Sequence, residues 1–184
     1  MDHPPGGIFW EFFVMFVKND TLVRISVDLY DMQGNLLEST AEDGITYYHG
    51  HGDIFDGLER ALTGKAVGQS VSVILEPRDA FGDFDDMAIE LVDVETLGDP
   101  LDIYPGLLFE KIPGRVPDGK TYRVTEIADG KAVLDANHPY AGYTLRFEVK
   151  ILGIEEPEED VSGNDSIVVP SFLTLADRLV DESD

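Results

Sequence analysis

The chain has 184 residues, with 13 Lys and Arg against 37 Asp and Glu, no cysteine, and a formal net charge of −24. Such a surface repels phosphate backbones and anionic membranes, which argues against nucleic acid and lipid as partners. Without cysteine, neither disulfides nor thiolate chemistry is open to it. No EF-hand spacing turns the carboxylates into a cation site, so the charge reads as a well-solvated surface. The length suffices for one or two small domains at roughly 100–150 residues each.

Residues 8–17 (IFWEFFVMFV) are almost wholly apolar, too short to span a membrane and not preceded by the basic residues of a secretory signal. They read as an extra strand, an apolar tail, or sequence upstream of a start at Met15, and the third is the expectation. From Leu22 to Leu29, Val23, Ile25, Val27 and Leu29 alternate with Arg24, Ser26 and Asp28, the pattern of a half-buried strand. Met32 to Asn35 is turn chemistry, and Leu36 to Thr40 a second strand. Residues 45–82 organise the chain. A β-rich run breaks at Gly50-His51-Gly52. Next comes a helix of about ten residues, with Ile54, Leu58, Ala61 and Leu62 on one side. The chain turns at Gly64 and Gly68 and returns as an alternating strand. So short a helix is unstable alone, and its apolar side must lie on a sheet.

Asp83 to Asp86 forms an acidic hinge. Beyond it Ile89, Leu91 or Val92, and Val94 alternate, and short strands are predicted over 107–112, 121–127 and 132–134, the last two around the turn Asp129-Gly130. A unit of roughly 50 residues lies near the lower limit for an independent core. After the loop 135–142, Leu145, Phe147, Val149 and Ile151 share one face of a final strand. That strand needs partners, and the first half of the chain supplies them. Residues 87–134 therefore read as an insertion in a domain made of 15–86 and 135–156, with an extension at 1–14 and an acidic tail at 157–184. Within the tail, Phe172, Leu175, Ala176 and Leu179 fall at helical spacing, as a docking helix or a frayed end.

Four motifs occur in order: Tyr48-His49-Gly50-His51-Gly52; Gly57-Leu58-Glu59-x-Ala61-Leu62-x-Gly64-x-x-x-Gly68; Glu76-Pro77-x-x-Ala80-Phe81-Gly82; and Asn137-His138-Pro139-x-Ala141-Gly142-x-x-Leu145-x-Phe147. Over about Leu22 to Glu155 the sequence resembles FKBP-type peptidyl-prolyl cis-trans isomerases of the SlyD/SlpA group. The resemblance implies an α+β fold: a curved antiparallel sheet on one helix, with a small β-rich insert-in-flap domain. It implies a cytoplasmic rotamase assisting folding of unfolded or nascent polypeptides at X–Pro bonds, monomeric, without cofactor or metal, and with a chaperone insert. The alternative is a non-catalytic holdase whose isomerase pocket has decayed.

Carried over by motif, the catalytic residues are Glu38, Ile54, Phe81 and Phe147, with the Ile54 backbone N–H as a substrate contact. Val27, Leu37, Ile45, Tyr47, Phe55 and Leu58 complete the substrate site. Ile89, Leu91, Val94, Leu97, Ile103 and Phe109 are the candidate client-binding residues of the insert, and about half of the apolar positions there are expected to fill its core instead. Three residues depart from the family pattern. Val27 and Phe81 stand where many members carry Tyr, and Glu38 where Asp is usual. Each lost hydroxyl removes a hydrogen-bonding partner worth about 1 kcal/mol. His49 and His51 invite a metal reading, but no third ligand accompanies them, and they belong to the glycine turn. The tail lacks the His and Cys of nickel-binding SlyD tails. His138 is expected to be structural rather than a general base.

Overall fold

The computed structural model describes residues 14–157 and 167–174. The expected extension before residue 14 and the acidic run 158–166 lie outside the described residues. In chain order the elements are β1 (Leu22–Tyr30), β2 (Leu36–Ser39), β3 (Ile45–Tyr48), α1 (Asp56–Leu62), β4 (Ser70–Leu75), β5 (Ile89–Asp93), α2 (Val94–Leu97), β6 (Leu108–Phe109), β7 (Tyr122–Ala128), β8 (Lys131–Asp135) and β9 (Leu145–Glu155). The chain divides into two compact units, one made of residues 1–75 and 144–184 and the other of 76–143. These boundaries lie outside the sequence-derived limits of the insert, 87 and 134.

The first unit is a five-stranded antiparallel sheet ordered β2-β1-β9-β4, with β3 also on β1. β1 pairs along its whole length with β9, and β2 and β3 share its other edge, at Asp28–Tyr30 and Leu22–Ile25 respectively. The alternation read from the sequence places Val23, Ile25, Val27 and Leu29 in the core. On β9 the register shifts between Ile151 and Gly153, so Leu152 is the extra residue of a bulge. The bulge resets the parity, and Ile151 and Ile154, three apart, are both buried. Leu58 and Leu62 of α1 are fully buried, as the amphipathic spacing requires. A Cβ on Gly57 would stand 2.5 Å from Leu75 Cδ2, so the missing side chain is what lets α1 sit this close to β4. The helix is seven residues long, shorter than expected. It begins only after Ile54 and Phe55, which enter the core from the preceding turn.

The second unit is a four-stranded antiparallel sheet, β5-β8-β7-β6. Its core gathers Val92, Val94, Leu97, Ile103, Ile112, Tyr122, Val124, Ala132 and Leu134. The predicted strand over 107–112 contracts to Leu108–Phe109, because the chain turns at Ile112 to bury that side chain; the Ile112 carbonyl accepts the Arg115 N–H at 3.1 Å. Asn137 clasps the ends of this unit: its Oδ1 accepts the Asp85 N–H (2.9 Å) and its Nδ2 donates to the Asp85 carbonyl (3.0 Å).

Of the predicted docking helix, residues 175–180 lie outside the described part. Ser171–Leu173 form one 3-10 turn after Pro170. The buried side chain of this segment is Leu173, not Phe172, which is only half-buried. A 3-10 turn eclipses every third residue and so presents a different face from the α-helix assumed from spacing.

Candidate active site

Two carboxylates fix the glycine turn between β3 and α1. Asp53 accepts the Tyr48 N–H at 2.9 Å, and Glu59 of α1 accepts the Gly50 N–H at 2.9 Å. These bonds set Ile54 and Phe55 at the start of α1. The Phe55 carbonyl accepts the N–H groups of Leu58 (2.9 Å) and Glu59 (3.1 Å), while its own N–H precedes the first turn and points to a partner outside the helix. The Phe55 ring meets Phe147 edge-on, with centroids 6.0 Å apart at 68°. Phe147 sits on β9 opposite Leu29 of β1 and Val73 of β4; Val27 lies opposite Val149. Val27, Ile54, Phe55, Leu58 and Phe147 are all apolar and only 1, 2, 6, 0 and 0% exposed. Leu37 and Glu38 on β2 and Ile45 at the start of β3 are half-buried, with Glu38 paired opposite Leu29.

Phe81 belongs to the second unit. It stacks on His138 (centroids 4.1 Å, 9°) and meets Tyr140 edge-on at 5.5 Å. The His138 Nδ1 accepts the Tyr140 N–H at 3.1 Å. This stack gives one physical reason why the third and fourth motifs occur together.

The expected site residues fall into different surroundings. The Phe55 N–H, one residue beyond Ile54, donates to the Leu173 carbonyl at 2.9 Å. Tyr47 is fully buried, and its hydroxyl lies 2.8 Å from His49 Nδ1. In the second unit Val94, Leu97 and Ile103 are core residues and Phe109 packs against that core. Only Ile89 and Leu91 of the six are exposed. Strand parity decides this: with Val92 turned inward, Leu91 must face out. Spacing on an isolated strand left that choice open. Sequence reasoning missed the exposed Met87, Leu101, Tyr104 and Leu108 of the same unit. It also missed a cleft of about 300 Å³ bordered by Arg123, His138 and Tyr143, which residues of β7, of the end of β8 and of the loop after it build without any periodic signal.

The histidines separate into different roles. Tyr47 Oη lies 2.8 Å from His49 Nδ1, and His49 Nε2 lies 2.9 Å from Thr63 Oγ1, whose hydroxyl donates to the Glu59 carbonyl at 3.0 Å. Since the Thr63 proton is already used, the imidazole is neutral with its hydrogen on Nε2 and accepts from Tyr47 at Nδ1. Burial holds the His49 pKa below its ordinary value, opposed by the nearby Glu59, and pushes the Tyr47 phenol up. His51 instead stacks on Tyr48 at 4.0 Å and bonds Asp20 at 2.8 Å. Burial also lowers the His138 pKa, with Arg123 acting in the same direction. Both depressed histidines take up protons in the unfolded chain before the folded one. Stability is therefore fully present above pH 6.5, the ordinary histidine value, and falls as pH drops from there toward the folded values. Urea midpoints measured across that range should decline, and His138→Gln should flatten the decline.

Residues 15–152 match the family model of the FKBP-type peptidyl-prolyl cis-trans isomerases. The chain belongs to this family, and its enzymatic class is peptidyl-prolyl cis-trans isomerase, acting on polypeptides at proline. Within the family it is similar to SlyD proteins. It is 34% identical to the Escherichia coli K12 SlyD over 149 residues, covering 79% of this chain and 74% of the relative. It is 31% identical to that of Treponema pallidum over 147 residues, covering 79% and 82%. Among the described residues no helix is long and apolar enough to cross a membrane.

Proposed function

We propose that this protein accelerates X–Pro isomerisation during protein folding at the wall formed by Val27, Ile54, Phe55, Leu58 and Phe147, and that the second unit holds unfolded clients. The observation that carries the reading is the pairing of an apolar, water-excluding wall with one outward backbone donor, the Phe55 N–H. Rotation about the peptide bond has a barrier of ~18–20 kcal/mol because twisting breaks amide resonance. The twisted amide is less dipolar than the planar one, so an apolar enclosure disfavours the ground state relative to the transition state. The donor anchors a neighbouring carbonyl while the bond turns. Neither nucleophile nor proton transfer is required. In this scheme Phe147 and Ile54 form the enclosure, Leu37 and Ile45 border the wall, and Glu38 is the carboxylate near its edge.

For client binding, the support is the exposed apolar set on the second unit, Leu101 at 92%, Met87 at 86% and Leu91 at 62%. A proline-limited refolding assay tests both parts. The full chain at substoichiometric concentration is expected to accelerate the slow phase, and Leu91→Asp with Leu101→Asp to reduce acceleration on an unfolded protein but not on a short peptide. The rival reading, a holdase without turnover, is favoured by one observation: Val27 and Phe81 lack the hydroxyls of the family pattern. Suppressed aggregation only at stoichiometric concentration, with no change in the slow phase of refolding, would select it.

A further inference from the structure

The outward N–H of Phe55 is already taken. Its acceptor is the carbonyl of Leu173, at 2.9 Å, in the segment 167–174 of the same chain. That segment runs Ile-Val-Val-Pro-Ser-Phe-Leu-Thr, and Pro170 opens its 3-10 turn, closed by the Leu173 N–H on the Pro170 carbonyl at 2.9 Å. The Leu173 side chain is 0% exposed, among the largest fully buried side chains of the protein. The neighbouring wall is closed to the same degree, none of its five members being more than 6% exposed. A site that admits a proline ring must open part of its wall to solvent. Here the wall is shut while a proline-containing stretch of the chain holds its backbone donor.

We propose that residues 167–174 are a tethered competitor of the polypeptide substrate. This rests on the assignment of the isomerase site to the wall around Phe55. The segment offers the chemistry the site is built to take: a proline, apolar residues after it, and a carbonyl for the Phe55 N–H. Being covalently attached, it faces the site at an effective concentration on the order of millimolar. A substrate binds only to the fraction of molecules in which the segment has left, and its apparent affinity falls by that fraction. Saturating substrate displaces the segment, so KM carries the effect and kcat does not.

The test compares the full chain with Leu173→Asp and with a chain ending at Ser166, using a proline tetrapeptide as substrate and hydrogen exchange at the Phe55 amide as an independent readout. Leu173→Asp should speed exchange at Phe55 and lower KM about tenfold at constant kcat, the shift expected if one molecule in ten is open. A free peptide of sequence IVVPSFLT should then inhibit the variant competitively. If truncation impairs folding, Leu173→Asp carries the test alone. Faster exchange with unchanged KM, or a variant that loses activity and stability together, overturns the proposal and leaves the isomerase assignment intact. Faster exchange with no turnover in any form overturns both, because a competitor needs a working site. Unchanged exchange at Phe55 refutes the docking itself.

Discussion

Phe147→Ala is expected to destabilise the protein by about 3–5 kcal/mol, the cost of emptying a buried phenylalanine site. Phe147 is fully buried, flanked across the sheet by Leu29 and Val73, and covered by the edge of Phe55. Domains of this size retain about 5–15 kcal/mol in total, so this single change removes a large share. Urea unfolding should report a lower midpoint with an unchanged slope. Phe147→Leu separates packing from function. It restores most of the volume at a cost below about 1.5 kcal/mol, yet removes the aromatic contact with Phe55. A folded Phe147→Leu protein with reduced kcat/KM on a proline peptide would place Phe147 in the enclosure; full activity would assign it to the core alone.

Gly44→Ala should be nearly as damaging for a different reason. Gly44 has φ of +69°, and a Cβ there would lie 2.2 Å from the Ile25 carbonyl oxygen and 2.8 Å from Leu152 Cδ1. The left-handed backbone alone costs about 1–2 kcal/mol for a residue with a side chain. The clash adds to it, because the Ile25 carbonyl is backbone of the central strand and cannot rotate aside. A total of about 3 kcal/mol or more is expected. Gly64→Ala is the matched control: its φ is +77°, but a Cβ there meets nothing within 4 Å. It should lose only the conformational part, about 1–2 kcal/mol. Equal losses in the two variants would mean that β1 yields to the new methyl group. Because Ile25 lies on β1, two residues before Val27, displacement of that strand should also reach the proposed site.

Much of the first unit was legible in the sequence because its determinants are local. The alternation in β1 and β9 names their buried faces, and the spacing of Leu58 and Leu62 names that of α1. The motifs around the glycine turn, Phe81 and His138 led to the family through residue types at fixed offsets. Other features were illegible because they depend on partners distant in the chain. Strand parity in the second unit turns Leu91 out and Val92 in, and only the pairing of β5 with β8 decides which. The bulge at Leu152 brings Ile154 into the core, against the simple alternation. The partner of the Tyr47 hydroxyl, His49, is likewise visible only in the fold.

Periodicity and turn chemistry, as properties of neighbouring residues, were enough to reach the family and the strands and helix of the first unit. The tertiary structure decided which backbone donor faces outward and what meets it. The Phe55 N–H and the Leu173 carbonyl are 118 positions apart in the numbering, and a hydrogen bond between main-chain atoms leaves no trace in the identity of either side chain.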